Sequence, residues 1–349
     1  VIRHVITGNA STGILDEPFY VVDVEDIIEK HRKLVECIPR VQPYYAVKCN
    51  PSPVVLQLLA GLGVGFDCAS KGEIERILSI GVPANRIIYA NTCKSCSYIQ
   101  YAEEVGVNQM TFDNEHELYK VRQLHPGAEM LLRIRVDDHY SRSPLGTKFG
   151  ASLKEVRHLL VLAKQLDVNV VGCCFHVGSG CQKGESYTKA IADAKWVFKV
   201  SGNIGFDMRL LDIGGGFVGA TSQAKFQHMA QAVNSALDLH FPDIDSNGYK
   251  SSITIISEFG RYYVDSAMTL ATTITSKRCF QSEDYSQPPE MMYYLNDGIY
   301  GSFVLAKLGH VEVEPIPLDM GTGMPINERP LYSTTLWGPT CDSLDYIKK

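Results

Sequence analysis

Nothing in this sequence is basic enough, apolar enough or rich enough in cysteine to put it in a specialised class. Lys and Arg number 33 against 39 Asp and Glu, a formal net charge of −6, so no basic patch points to nucleic acid. No apolar stretch reaches the ~20 residues that a membrane-spanning helix needs, so no membrane partner is expected. The opening Val1-Ile2-Arg3-His4 lacks the apolar stretch of a secretion signal. Without that signal, the sequon at Asn9-Ala10-Ser11 means little. Ten cysteines in 349 residues are too sparse for a disulfide framework. Cys93/Cys96 and Cys173/Cys174 have no second Cys or His pair at zinc spacing, so no metal site is expected. Reduced thiols in the cytoplasm are the default. The chain starts without Met and stops at Lys348-Lys349, and the expectation is a piece of a longer protein with an incomplete C-terminus.

What remains is an ordinary globular composition, 45% apolar and 21% charged, long enough for one large domain and a smaller one. Apolar, β-branched runs recur at 44–48, 65–68, 87–91, 110–113, 130–136, 170–177, 210–214 and 253–258. Segments with apolar spacing of three and four lie between them, most clearly Val156/Leu159/Leu160/Ala163. Strands alternating with helices predict a parallel sheet. Eight such units predict a (β/α)₈ barrel over 16–262, with an open doubly wound sheet as the alternative. Beyond about 263 the helical spacing disappears. Strands are expected at 263–276, 291–295 and 302–308, with a turn at Asn296-Asp297-Gly298. Residues 1–15 and 263–349 are expected to form an all-β domain of sandwich or Greek-key type, and 1–8 could add a strand to the barrel.

Chemically loaded residues sit at the C-terminal ends of the predicted strands: Lys48, Asp67, Asn91, Asp113, Arg135, His176, Gly214 to Gly216, and Glu258 to Arg261. That rim is where a barrel builds its active site. Lys48 is either a solvated surface lysine or an amine in a desolvated pocket, with its pKa pulled down, that forms a Schiff base. Asp212-Ile213-Gly214-Gly215-Gly216 is either a tight turn or a loop whose bare backbone approaches a phosphate. Glu258-Phe259-Gly260-Arg261 reads either as a structural ion pair or as a phosphate arginine beside a carboxylate free to face a ring nitrogen. In His176-Val177-Gly178-Ser179-Gly180, the imidazole could stack on a flat cofactor while Ser179 holds its phosphate. Cys341 and Asp342, in Trp337-Gly338-Pro339-Thr340-Cys341-Asp342, read as a loop or as a proton donor and an amine binder.

Together with Tyr45-Ala46-Val47-Lys48-Cys49-Asn50, these motifs resemble eukaryotic ornithine decarboxylase in order and spacing, from about residue 17 to the last. The resemblance implies an alanine-racemase-type barrel with a β domain, pyridoxal 5′-phosphate as cofactor, and a head-to-tail homodimer with shared active sites. It implies decarboxylation of ornithine to putrescine, the first step of polyamine biosynthesis. Lys48 would hold the cofactor covalently, supported by Asp67 with Glu73 nearby, and His176 would stack on its ring. Ser179, Gly214, Gly215, Gly216, Gly260 and Arg261 would form the phosphate cradle, and Glu258 would meet the pyridine nitrogen. Cys341, from the partner subunit, would protonate the product carbon, and Asp342 would bind the distal ammonium. Arg142 resembles a family arginine near the cofactor. Segment 94–132 resembles a region that binds antizyme.

The chain also departs from that pattern. Phe259 stands where the family has Pro, Gly309 where it has Asp, and the loop 319–329 is expanded. The family's last strands, with a phosphate-contacting tyrosine, are missing. The loss of the second carboxylate at 309 leaves two alternatives open. One is a decarboxylase for lysine or another basic amino acid. The other is a catalytically weak binding protein like the antizyme inhibitors.

Overall fold

A computed structural model describes residues 1–9, 16–217, 223–244, 251–281, 288–309, 311–318 and 328–349. It divides into two compact units, 23–267 and 1–22 with 268–349.

The larger unit is a closed barrel of eight strands: Val41–Ala46, Gly65–Cys68, Ile87–Tyr89, Gln109–Phe112, Glu129–Arg133, Asn169–Cys174, Leu210–Asp212 and Thr254–Phe259. All neighbours pair in parallel, and the seventh strand bonds to both the sixth and the eighth. Closure rules out the open sheet. Gly65–Cys68, Ile87–Tyr89 and Leu210–Asp212 are buried at every residue. A strand covered on both faces cannot alternate polar and apolar, which is why these runs read as continuous. Tyr44, Ile88, Leu131, Val171, Cys174, Leu210 and Ile256 form one buried cluster contributed by six of the strands.

The helices begin where short polar side chains stop the chain. Ser70 accepts the Glu73 N–H at 3.3 Å, Asn114 accepts the Glu117 N–H at 3.1 Å, and Ser152 and Glu155 form a capping box. Each cap fixes the loop between a strand end and the next helix, and so fixes the rim.

In the second unit Phe19–Val22 pairs antiparallel with Met268–Ala271. Ile274–Phe280, Glu290–Leu295, Thr334–Trp337 and Tyr346–Lys348 form a four-stranded sheet in that order. Two expectations fail here, and a third at the end of the larger unit. Ile2–Asn9 is a helix, not a strand, because Ile2, Val5 and Ile6 repeat with helical spacing. In the larger unit, Tyr263 and Val264, the start of the strand expected at 263–276, belong to the helical turn Arg261–Val264. The expected strand at 302–308 holds the helix Val304–Lys307, which Gly309 ends at φ +72°, a conformation glycine takes without steric cost. The expanded loop expected at 319–329 lies largely outside the described residues.

Candidate active site

Lys48 lies in a single 3₁₀ turn, Val47–Cys49, directly after the first barrel strand rather than inside it. The parallel register sets Ala46 beside Asp67 of the second strand. The Lys48 amine therefore meets Asp67 Oδ2 at 2.5 Å. Asp67 is fully buried, and its Oδ1 has no hydrogen-bond partner among the described residues. The lysine side chain is 53% accessible, so the pair opens to the rim with its carboxylate inside. The expected fall in the amine's pKa does not occur. Burial pulls it down, but Asp67, Glu258 and Glu73 outweigh burial and raise it. Glu73 is held in turn by the Ala69 N–H at 2.7 Å.

The loop after the seventh strand is built for close approach. Gly214 and Gly216 sit at φ +63° and +124°. A Cβ on Gly215 would lie 2.4 Å from the Glu258 carbonyl oxygen and 2.9 Å from His176 Nε2. Tyr187 donates its hydroxyl to the Gly215 carbonyl at 2.9 Å, and Ser257 donates to the Gly214 carbonyl at 2.6 Å. With those carbonyls tied back, Gly214 to Gly216 present bare backbone after the strand end. Arg261, just beyond the eighth strand and Gly260, donates to Ser179 Oγ at 2.6 Å. A guanidinium, a hydroxyl and bare glycine backbone are the donors a phosphate dianion requires.

His176 follows the sixth strand. Its Nδ1 accepts the Gly178 N–H at 3.0 Å, which in the neutral ring leaves the proton on Nε2. Burial first, then Arg133 and Lys48, lower its pKa to about 3. The ring is thus a neutral plane. The unfolded chain takes up a proton near 6.5, whereas the folded chain resists it until about 3. His176 therefore contributes stability above about 6.5 that is lost as pH falls towards 3. Replacing it with Gln should flatten the acid limb of a denaturation curve across that window, measured by circular dichroism. An unchanged limb would contradict the assignment.

Glu258 is buried, with Asp212 close beside it, and burial pushes its pKa well above the usual carboxylate range. Phe259 next to it packs against Phe217 and Tyr262 at 5.0 and 5.5 Å, so an aromatic cluster supports the glycine loop where the family pattern has Pro. Asn91 and Asp113 brace loops instead: Asn91 Oδ1 accepts the Cys93 N–H and Asp113 accepts the Gly150 N–H at 2.8 Å.

Cys341 and Asp342 belong to the second unit. Cys341 is exposed. Asp342 accepts the Leu344 N–H at 2.9 Å and the Tyr300 hydroxyl, which hold its carboxyl below the usual range. Buried Asp345 organises this loop through the Thr340 hydroxyl at 2.7 Å and the Ile299 N–H at 2.8 Å. A Cβ on Gly338 would lie 2.2 Å from Asp345 Oδ1, which explains a glycine after Trp337.

Residues 24–265 match the model of the pyridoxal-dependent decarboxylase, pyridoxal binding domain. The chain is 48% identical over 337 residues to antizyme inhibitor 2 of Xenopus laevis, covering 95% of this chain and 72% of that protein. It is 46% identical over 339 residues to ornithine decarboxylase of Mus musculus, covering 95% and 71%. This chain belongs to the eukaryotic ornithine decarboxylase family. The wider fold extends further: the arginine decarboxylase of Paramecium bursaria Chlorella virus, solved with agmatine bound, superposes with a TM-score of 0.87 at 34% identity, over 99% of this chain and 88% of that one. The family's cofactor is pyridoxal phosphate. The residues on this rim fit it, with an amine against a buried carboxylate, a glycine cradle that no Cβ could enter, and a paired arginine and serine. Sequence reasoning missed Arg133, Tyr187, Ser257 and the part played by Asp212. Only Asp212, a carboxylate ending a buried strand, left a trace that could have been read.

Proposed function

We propose that this chain decarboxylates ornithine to putrescine, with active sites completed by a second copy of itself. The observation that carries the reading is the Lys48–Asp67 pair beside the glycine cradle and the Ser179–Arg261 contact.

Pyridoxal phosphate, when bound, supplies an electron sink for the pair left by a departing carboxylate. Lys48 holds it through its amine, and Asp67 Oδ2 is placed to take the proton that the amine must shed before it can react. Ser179, Arg261, Gly260 and the N–H groups of Gly215 and Gly216 would hold its phosphate. His176 would present a neutral plane to its ring, and Glu258 would face the ring nitrogen. Cys341 of the second copy delivers a proton to the product carbon. Asp342 pairs with the distal ammonium and favours a diamino acid, because an unpaired buried ammonium is costly.

The test is release of labelled carbon dioxide from ornithine, lysine and arginine in parallel. Ornithine is expected to turn over fastest. Equal or faster turnover of lysine would transfer the assignment to a broader basic amino acid decarboxylase. Gly309→Asp should tighten ornithine binding by about 1–3 kcal/mol, the worth of one charge-assisted hydrogen bond. A Cβ there meets nothing within 4 Å, but φ is +72°. The strain, about 1 kcal/mol, falls on free and bound protein alike and should lower the melting temperature rather than the affinity.

The second reading is a binding protein for antizyme through 94–132, motivated by the similarity to antizyme inhibitor 2. A protein that binds purified antizyme but releases no carbon dioxide from any of the three substrates would support it over the enzyme. Retention of Lys48, Asp67, His176, Ser179, Arg261 and Cys341 together favours the enzyme.

A further inference from the structure

Asp212 is the last residue of the seventh barrel strand, and the parallel register sets it beside Ile256, two residues before Glu258. Its side chain is fully buried. Oδ1 accepts the Gly214 N–H at 2.8 Å, while Oδ2 finds no donor among the described residues. The register places the side chain of buried Glu258, two residues beyond Ile256, next to it, and each carboxyl acts on the other's titration. Two carboxylates side by side away from water cannot both stay ionised, and they form a hydrogen bond only when one carries a proton. The other groups acting on Asp212 are the anion Asp67, the cation Arg133, the phenol of Tyr44, and the thiols of Cys173 and Cys174. Lys48 acts on Glu258. Among the described residues neither cation bonds to Asp212 Oδ2, so the pair satisfies itself.

We propose that Asp212 is a positioning residue that shares one proton with Glu258 and thereby fixes the oxygen that Glu258 turns towards the cofactor's ring nitrogen. The inference deepens the reading of the site given above and rests on it. The pair holds one proton and one negative charge. The Glu258 O–H donates to the Asp212 carboxylate, which keeps the charge, the other Glu258 oxygen is left to face the ring, and no bond to carbon is made or broken. Gly214 links this pair to the phosphate loop, because the same aspartate that orients Glu258 also holds the first glycine. One side chain thus ties the group at one end of the cofactor to the loop at the other.

The test uses the full chain in two states. Without cofactor, burial raises the Asp212 pKa from 3.8 to about 7, so the folded chain keeps a proton that the unfolded chain has released. Stability present below 3.8 is then lost as pH rises through about 7. Thermal scans between about pH 5 and pH 8 should show the melting temperature of the parent falling, and falling less in Asp212→Asn and in Glu258→Gln. In titrations with pyridoxal phosphate, Asp212→Asn keeps a hydrogen bond to Glu258 through its amide and still accepts from Gly214, so its dissociation constant should stay within about threefold of the parent. Asp212→Ala should weaken it about tenfold or more. Identical thermal pH profiles for the parent and both conservative variants would overturn the shared proton. Equal weakening by Asn and Ala, with circular dichroism unchanged, would overturn the positioning role. A parent that binds no pyridoxal phosphate would sink the reading of the site, while the thermal profiles would still decide the proton.

Discussion

Lys48→Ala is expected to abolish the visible absorbance band of the cofactor-loaded protein and to lower carbon dioxide release from ornithine by about a thousandfold or more. The expectation follows from placement. The amine sits on a rigid 3₁₀ turn, 2.5 Å from a carboxylate that is fully buried. Among the described residues no other lysine forms an ion pair with a carboxylate on a barrel strand. Lys48→Arg makes a sharper control. It keeps a cation against Asp67 but offers no primary amine, so it should fold normally and still show no band. A band that survives in either variant would remove Lys48 from the chemistry. A parent protein with no band would sink the enzyme reading and leave the antizyme-binding one.

The largest expected loss of stability lies outside the site. Lys94 and Glu117 are 0% and 1% exposed and meet at 2.8 Å. The Lys94 amine also donates to the carbonyls of Asn91 and Thr111, at 3.0 and 2.8 Å. Lys120 adds a second contact to Glu117 at 2.6 Å. Burial drives the Lys94 pKa down, and Glu117 works against that shift. Glu117→Leu leaves the amine buried with carbonyls alone and should cost about 3–5 kcal/mol, read from denaturant unfolding. Lys94→Met should cost less, because Lys120 still neutralises Glu117. The double variant Lys94→Met with Glu117→Leu should recover much of the loss, since a buried pair is often replaced by apolar residues at little cost. If the double variant is no better than Glu117→Leu, the two charges do not act as a pair. This network ties the loop after the third strand to the helix Glu115–Leu124.

The barrel was legible because its strands are buried on both faces and its helices on one. Those two burial regimes leave different periods in the residues: continuous apolar runs at 65–68, 87–89 and 210–212, and spacing of three and four at Val156, Leu159, Leu160 and Ala163. The second unit was read less well. Its segments are short and half-exposed, so a few apolar residues fit a strand or a helical turn equally, and 304–307 proved helical. Likewise Ile2–Asn9 needed a helical rather than an alternating reading.

The residue types on the rim, and hence the family and its cofactor, follow from the amino-acid sequence alone, because a phosphate cradle and a cofactor lysine demand particular residues at strand ends. How those residues affect one another is decided by the tertiary structure. Lys48 looked like an amine whose pKa burial would depress; the parallel register puts Asp67 against it and reverses the direction. Asp212 and Glu258 stand far apart along the chain, and only the parallel pairing of the seventh and eighth strands sets their carboxyls side by side. Charge coupling falls off with distance in space, which strand pairing sets and chain order does not show.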